Sequence, residues 1–164
     1  MSTATLVTVE EYLRMTEKPY REYRHGVLYP KPMPTSIHGV LEFMLALLLH
    51  RQGLQAGCEI SLMMSSDKVL IPDVIAAQTL EQPYPTRPVM LCCEILSPKD
   101  RLVATLAKCE EYHEWGVPFC WVIDPEKRSA WEYHAGADPV HVTDALHAGE
   151  IVVHLTELFA ALQA

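Results

Sequence analysis

The apolar run Val89-Met90-Leu91-Cys92-Cys93-Glu94-Ile95-Leu96 carries a single charge, Glu94. A strand of that composition is expected to be buried on both faces. An ionised carboxylate there is costly unless it is paired or bound to a metal. A second acid, Asp73, follows Pro72 near the start of the preceding apolar stretch. If the two strands are neighbours, both carboxylates converge at one edge of the sheet. Two hard oxygen ligands with open positions describe a Mg²⁺ site. Lys108 lies in the next helical segment, four residues before Tyr112. Its ammonium can extend toward the same strand ends, where it would offset developing phosphate charge or position a water. The chemistry these residues suit is a metal-assisted reaction at a phosphate group. Each also has a plainer reading: an ion-paired Glu at a strand end, a Pro-Asp turn, a solvated Lys.

Composition sets the frame around them. The chain has 164 residues, 49% hydrophobic and 21% charged, which suits one globular domain spanning 1–164. Lys plus Arg number 13 against 21 Asp plus Glu, a formal net charge of −8. Proteins that bind nucleic acid are usually basic, because they displace counterions from phosphates. The basic residues are uneven, however. Arg14, Lys18, Arg21, Arg24 and Lys31 crowd the N-terminal part, and Lys99, Arg101 and Lys108 follow Glu94. A local positive surface can coexist with an acidic whole.

The longest strongly apolar run is Phe43 to Leu49, far short of the roughly 20 residues that span a bilayer. Met1 to Leu6 lacks a basic segment followed by an apolar core, so no secretory signal and no membrane association are expected. Cys58, Cys92, Cys93, Cys109 and Cys120 form no C-x-x-C pair. They read as free thiols in a reducing cytoplasm.

Thr8 and Glu11 form a capping-box pattern opening a helix over about 9–15. Residues 21–31 read as a turn and a strand, and Ser36 caps a helix over 37–52 with apolar positions 37, 40, 41, 44, 45, 48 and 49 on one face. Strands are expected over 58–63, 69–77 and 89–96. Ser97-Pro98-Lys99-Asp100 caps a helix over 101–115, and a buried strand over 119–123 follows. Further strands fall at 129–134, 140–142 and 151–153, before a last helix over 156–162. A buried strand, a helix and a second buried strand predict a parallel pair within a mixed sheet.

Ile71-Pro72-Asp73-Val74, Glu94-Ile95-Leu96-Ser97-Pro98, Lys108-x-x-x-Tyr112, Gly116-Val117-Pro118 and Trp121-Val122-Ile123-Asp124-Pro125 occur in that order. Val9-Glu10-Glu11-Tyr12-Leu13 precedes them, Glu22-Tyr23-Arg24-His25-Gly26-Val27-Leu28 follows it, and Leu155-Thr156-Glu157-Leu158-Phe159 ends the series. This ordered set resembles the Uma-two family, restriction endonucleases of the PD-(D/E)XK nuclease superfamily. The resemblance implies an α/β fold, a restriction-endonuclease-like mixed β-sheet flanked by helices. It implies Asp73 and Glu94 as metal-binding carboxylates, the backbone carbonyl of Ile95 as a further ligand, and Glu22 as an added acidic position. His38 matches a His that opens the family's second helix. Leu96 stands where the superfamily usually has its Lys; Lys108 matches members in which that Lys has moved to the following helix. The chain departs from the family pattern at His25, Val27 and Ala104.

The implied protein is an endonuclease using Mg²⁺ or Mn²⁺ on DNA. Cutting a duplex takes two cuts, which points to a homodimer or higher homo-oligomer. Two other readings stand beside it. One is a catalytically weakened or inactive nuclease-fold protein that binds DNA or a partner. The other is a hydrolase using Cys109 and His113, four apart on one helix face.

Overall fold

Pro72 divides what the apolar pattern joins. In the computed structural model, which describes residues 5–17 and 20–163, the expected strand over 69–77 is two strands in two sheets. β5 (Lys68–Leu70) belongs to a four-stranded sheet, and β6 (Val74–Ala77) belongs to a six-stranded one. Proline cannot donate to a ladder, so the chain leaves the first sheet at Ile71 and enters the second after Asp73. The expected strand over 58–63 breaks likewise, into β3 (Gln55–Cys58) and β4 (Leu62–Ser65). Glu59 sits at that break with φ 54°. Both breaks fall beside the candidate site.

The small sheet has the order β2-β1-β5-β4. β1 (Arg21–Arg24) and β2 (Val27–Pro30) form an antiparallel hairpin where one strand was expected. His25 (φ 50°) and Gly26 (φ 85°) make its two-residue turn, the positive-φ geometry that matches strand twist. The polar run Arg21-Glu22-Tyr23-Arg24 masks a strand whose Glu22 and Tyr23 are both buried.

The large sheet has the order β10-β9-β8-β7-β6-β3. β7 (Leu91–Ile95) and β8 (Phe119–Asp124) are the expected parallel pair, joined through α3 (Leu102–Trp115). β9 (Ser129–His134) and β10 (Val140–Val142) extend the sheet antiparallel on one side. β6 and β3 extend it antiparallel on the other. β11 (Ala145–Ala148), not expected from the sequence, pairs with β12 (Ile151–His154) and leads into α4 (Leu155–Ala160).

Strand alternation distributes the core. Val74, Leu91, Cys93, Trp121 and Ile123 pack with Leu41, Leu45 and Leu49 of α2 (Ser36–Arg51) and with Leu158 and Phe159 of α4. Ile75, Cys92, Cys120 and Val122 pack on the opposite face with Cys109 and Tyr112 of α3. The same period of two puts Glu94 on the α3 face with Cys92.

Helix ends differ from expectation in ways that matter for the site. Thr8 does cap α1 (Val9–Leu13) through the capping box, but the helix stops at Leu13. Thr35, not Ser36, caps α2. Asp100 accepts a hydrogen bond from Ser97 N in a tight turn, and α3 begins only at Leu102 with no side-chain cap on Arg101. In α2, Ile37 and Val40 are exposed and Glu42 is buried. The first turn borders a charged cluster instead of the core, so His38 and Glu42 turn inward. Among the described residues no helix is long and apolar enough to cross a membrane. Lys18 of the N-terminal basic set, and residues 1–4 of the opening segment, lie outside the described residues.

Candidate active site

Two strands and two helices meet around a cavity of about 220 Å³ lined by Glu22, Lys31, His38, Asp73, Glu94 and Lys108, among others. The register of β6 on β7 pairs Val74 with Cys93. Continued by one residue, it sets Asp73 opposite Glu94. Both are almost fully buried, at 3% and 7% exposure.

Asp73 is bonded through both oxygens. Oδ2 accepts from Ile95 N at 2.7 Å. Oδ1 faces Lys31 Nζ at 3.0 Å and His38 Nε2 at 3.2 Å. Burial works to raise its pKa, but the His38 hydrogen bond and the Lys31 charge hold the carboxyl well below the usual range.

Glu94 Oε1 accepts from Tyr112 Oη at 2.6 Å and from Lys108 Nζ at 2.8 Å. Here burial wins over the Lys108 charge, with Asp73 adding repulsion, and the carboxyl is raised. Lys108 Nζ also lies 2.6 Å from Glu22 Oε1. Burial disfavours its charge, but Glu94 and Glu22 outweigh burial and hold the ammonium protonated. Glu22 Oε1 accepts in addition from Ile71 N at 2.9 Å, which anchors it to the crossing between the sheets. The structure therefore brings Glu22, Asp73, Glu94, Ile95 and Lys108 together.

Three residues that sequence reasoning missed complete the cluster. Lys31 Nζ contacts both Glu59 oxygens at 3.0 Å and Ile71 O at 2.7 Å. Glu42 Oε1 lies 3.1 Å from His38 Nε2. Burial opposes a charged His38, yet Asp73 and Glu42 hold its imidazolium up to about 10. Glu59 is raised to about 7 by burial, against the pull of Lys31. One ligand atom from each of His38, Glu42, Glu59 and Asp73 lies within 4.8 Å of the others. Carboxylate oxygens converging on a cavity are the donor chemistry of a hard divalent cation, so the residues fit such a group.

The Cys109–His113 pair does not form. Cys109 is fully buried, and the sulfur near His113 Nδ1 is that of Cys120, at 3.8 Å. Burial pushes the Cys120 thiol far up, so it is inert as a nucleophile. Two of the N-terminal basic residues are also engaged: Arg21 pairs with Glu17, and Arg24 with Glu22 and Glu111.

The family model described as "Uma2: Putative restriction endonuclease" matches residues 9–164. The chain belongs to the Uma2 family. A solved structure of "a putative nuclease belonging to DUF820" from Anabaena variabilis ATCC 29413 is similar to it at 20% identity and a TM-score of 0.81, covering 96% of this chain and 99% of that one. At that identity the likeness shows the fold, and it agrees with the restriction-endonuclease-like mixed sheet expected from the sequence. No curated protein matches the chain. Uma2 membership supports a nuclease.

Of the residues missed, Glu42 had a legible signal, since it stands four after His38 on one helix. Lys31, between Pro30 and Pro32, and Glu59, at a strand break, had none.

Proposed function

We propose that this Uma2 protein is an endonuclease that hydrolyses DNA phosphodiester bonds with Mg²⁺ or Mn²⁺. The observation that carries the reading is the placement of Asp73, one residue before β6, opposite Glu94 of β7, with Lys108 bonded to Glu94 in the same cavity. Asp73, Glu94 and the Ile95 carbonyl would hold the cation, with Glu59, whose carboxylate oxygen lies within 4.8 Å of an Asp73 oxygen, as a further ligand. When bound, it supplies Lewis acidity toward the phosphate and lowers the pKa of an attacking water.

The chain's own residues do the rest. Ile95 N–H fixes Asp73 Oδ2, leaving Oδ1 turned toward the cavity. Tyr112 Oη and Lys108 Nζ fix Glu94 Oε1. Glu22, tied to Ile71 N, holds the Lys108 ammonium in place. Lys108 lines the cavity fully charged, where it orients water and offsets the charge that grows on the phosphate oxygens. Because a duplex needs two cuts, the proposal extends to a homodimer acting on both strands.

The test is cation-dependent cleavage of plasmid DNA by the wild type and by Asp73→Ala. Cleavage by the wild type alone is expected, and equal cleavage by both overturns the reading. A second reading, a weakened protein serving as a DNA-binding or interaction module, is favoured by one observation. Lys31 and His38 already satisfy Asp73 Oδ1. Absence of Mn²⁺ binding at millimolar concentration would select it.

A further inference from the structure

Lys31 reaches the site from the segment after β2, where the prolines on either side of it restrict the backbone. Its Nζ lies 2.7 Å from Ile71 O and 3.0 Å from Asp73 Oδ1 and from both oxygens of Glu59. An ammonium has three protons to donate; this one meets four oxygens, three of them from carboxylates. Such a shell surrounds a bound cation. The side chain is 14% exposed. Glu59 presents its carboxylate from a left-handed backbone, φ 54°, a strained conformation for a residue with a side chain that persists only where the surroundings impose it. Asp73 and Glu59, which Lys31 grips, are half of the four side chains whose ligand atoms converge within 4.8 Å.

We propose that Lys31 is the resident cation of this site: its ammonium occupies the position among Asp73, Glu59 and their neighbours that a divalent cation takes, and it leaves before one binds. The inference rests on the metal-dependent reading above. A monovalent and a divalent charge cannot both sit against Asp73 Oδ1, because their repulsion at that separation is large even with strong screening. The affinity of the wild type for a divalent cation is therefore reduced by the population in which Lys31 is bound. The same contact keeps the acidic cluster neutralised when no metal is present. Lys31 is thus a positioning residue that sets the metal concentration at which the site fills.

The test is Mn²⁺ titration by calorimetry of the wild type, Lys31→Met, and Lys31→Met combined with Glu59→Gln. Methionine keeps most of the stem and removes the charge. Lys31→Met is expected to bind roughly tenfold or more tightly than the wild type, and Glu59→Gln is expected to cancel most of that gain. Equal or weaker binding by folded Lys31→Met overturns the inference. So does a gain that survives Glu59→Gln, since the cation would then sit away from Glu59. In both cases wild-type binding leaves the nuclease reading standing, whereas binding by none of the three overturns both. If Lys31→Met does not fold, the wild type decides through the ¹⁵N resonance of the Lys31 ammonium during Mg²⁺ addition. A change in step with Mg²⁺ saturation supports displacement, and an unmoved resonance at saturation overturns it.

Discussion

Asp73 Oδ2 accepts a 2.7 Å hydrogen bond from the backbone N–H of Ile95. One candidate carboxylate is thereby tied to the strand that carries the other, one residue beyond Glu94. The bond sits just past the last ladder pair of β6 with β7, so the side chain continues the pairing that Pro72 prevents the backbone from making.

Asp73→Asn tests this dual role. An amide can turn its oxygen toward Ile95 or toward Lys31 and His38, but its NH₂ then faces a donor on the other side. The variant is expected to lose about 1–3 kcal/mol of stability, measured by urea denaturation, and to lose DNA cleavage. Wild-type stability would mean that these contacts hold nothing.

Lys108 stands between Glu22 and Glu94, 2.6 and 2.8 Å from their Oε1 atoms. Removing one member of a buried ion pair leaves the partner charges uncompensated, at about 3–5 kcal/mol. Lys108→Met is expected to show that loss near pH 8. The loss should shrink near pH 5, because the Glu94 carboxyl, already raised by burial, gains a proton more readily once the ammonium is gone. Denaturation at the two pH values checks it; a pH-independent loss would point to packing alone.

Glu94 was legible because it is the lone charge in an apolar run, and the β7–α3–β8 unit because a buried strand, a helix and a buried strand admit few topologies. Lys108 was legible through its spacing to Tyr112. Lys31 and Glu59 were not, since they reach Asp73 only through the crossing between sheets at Ile71-Pro72-Asp73, a tertiary event with no local pattern. Glu42 was overlooked for another reason, despite its spacing of four from His38. Counting Ile37 and Val40 as core rotates the expected face of α2, and the true face carries His38 and Glu42 inward at its start. The hairpin β1–β2 was obscured by its charges, which include Glu22 itself.

Tyr112 Oη donates to Glu94 Oε1 at 2.6 Å from a fully buried position. Tyr112→Phe keeps the ring and removes that donor. A donor to a carboxylate favours its ionised form, so its loss raises further the pKa of a group that burial already raises. The acid limb of the cleavage profile is expected to move to higher pH, with a stability loss of about 1–2 kcal/mol at neutral pH. An unmoved limb would show that Glu94 ionisation does not govern cleavage.

His38 predicts the alkaline behaviour of the fold. Its pKa is held up to about 10, against about 6.5 in an unfolded chain. A raised folded value means the contribution is complete below about 6.5 and is lost as pH rises toward about 10. Asp73 acts at the opposite end. Its depressed carboxyl stabilises the fold above the unfolded value of about 3.9 and loses that contribution as pH falls. Between pH 7.5 and 9.5, above the range in which Glu59 titrates, the wild type is expected to lose on the order of 2 kcal/mol through His38 after allowance for solvent screening. His38→Gln should be less stable at pH 7.5 but show a flatter slope, so that the two curves converge toward pH 10. Urea denaturation across that window measures both lines. Parallel curves would mean that His38 is not protonated in the folded protein and that Lys31 alone offsets Asp73.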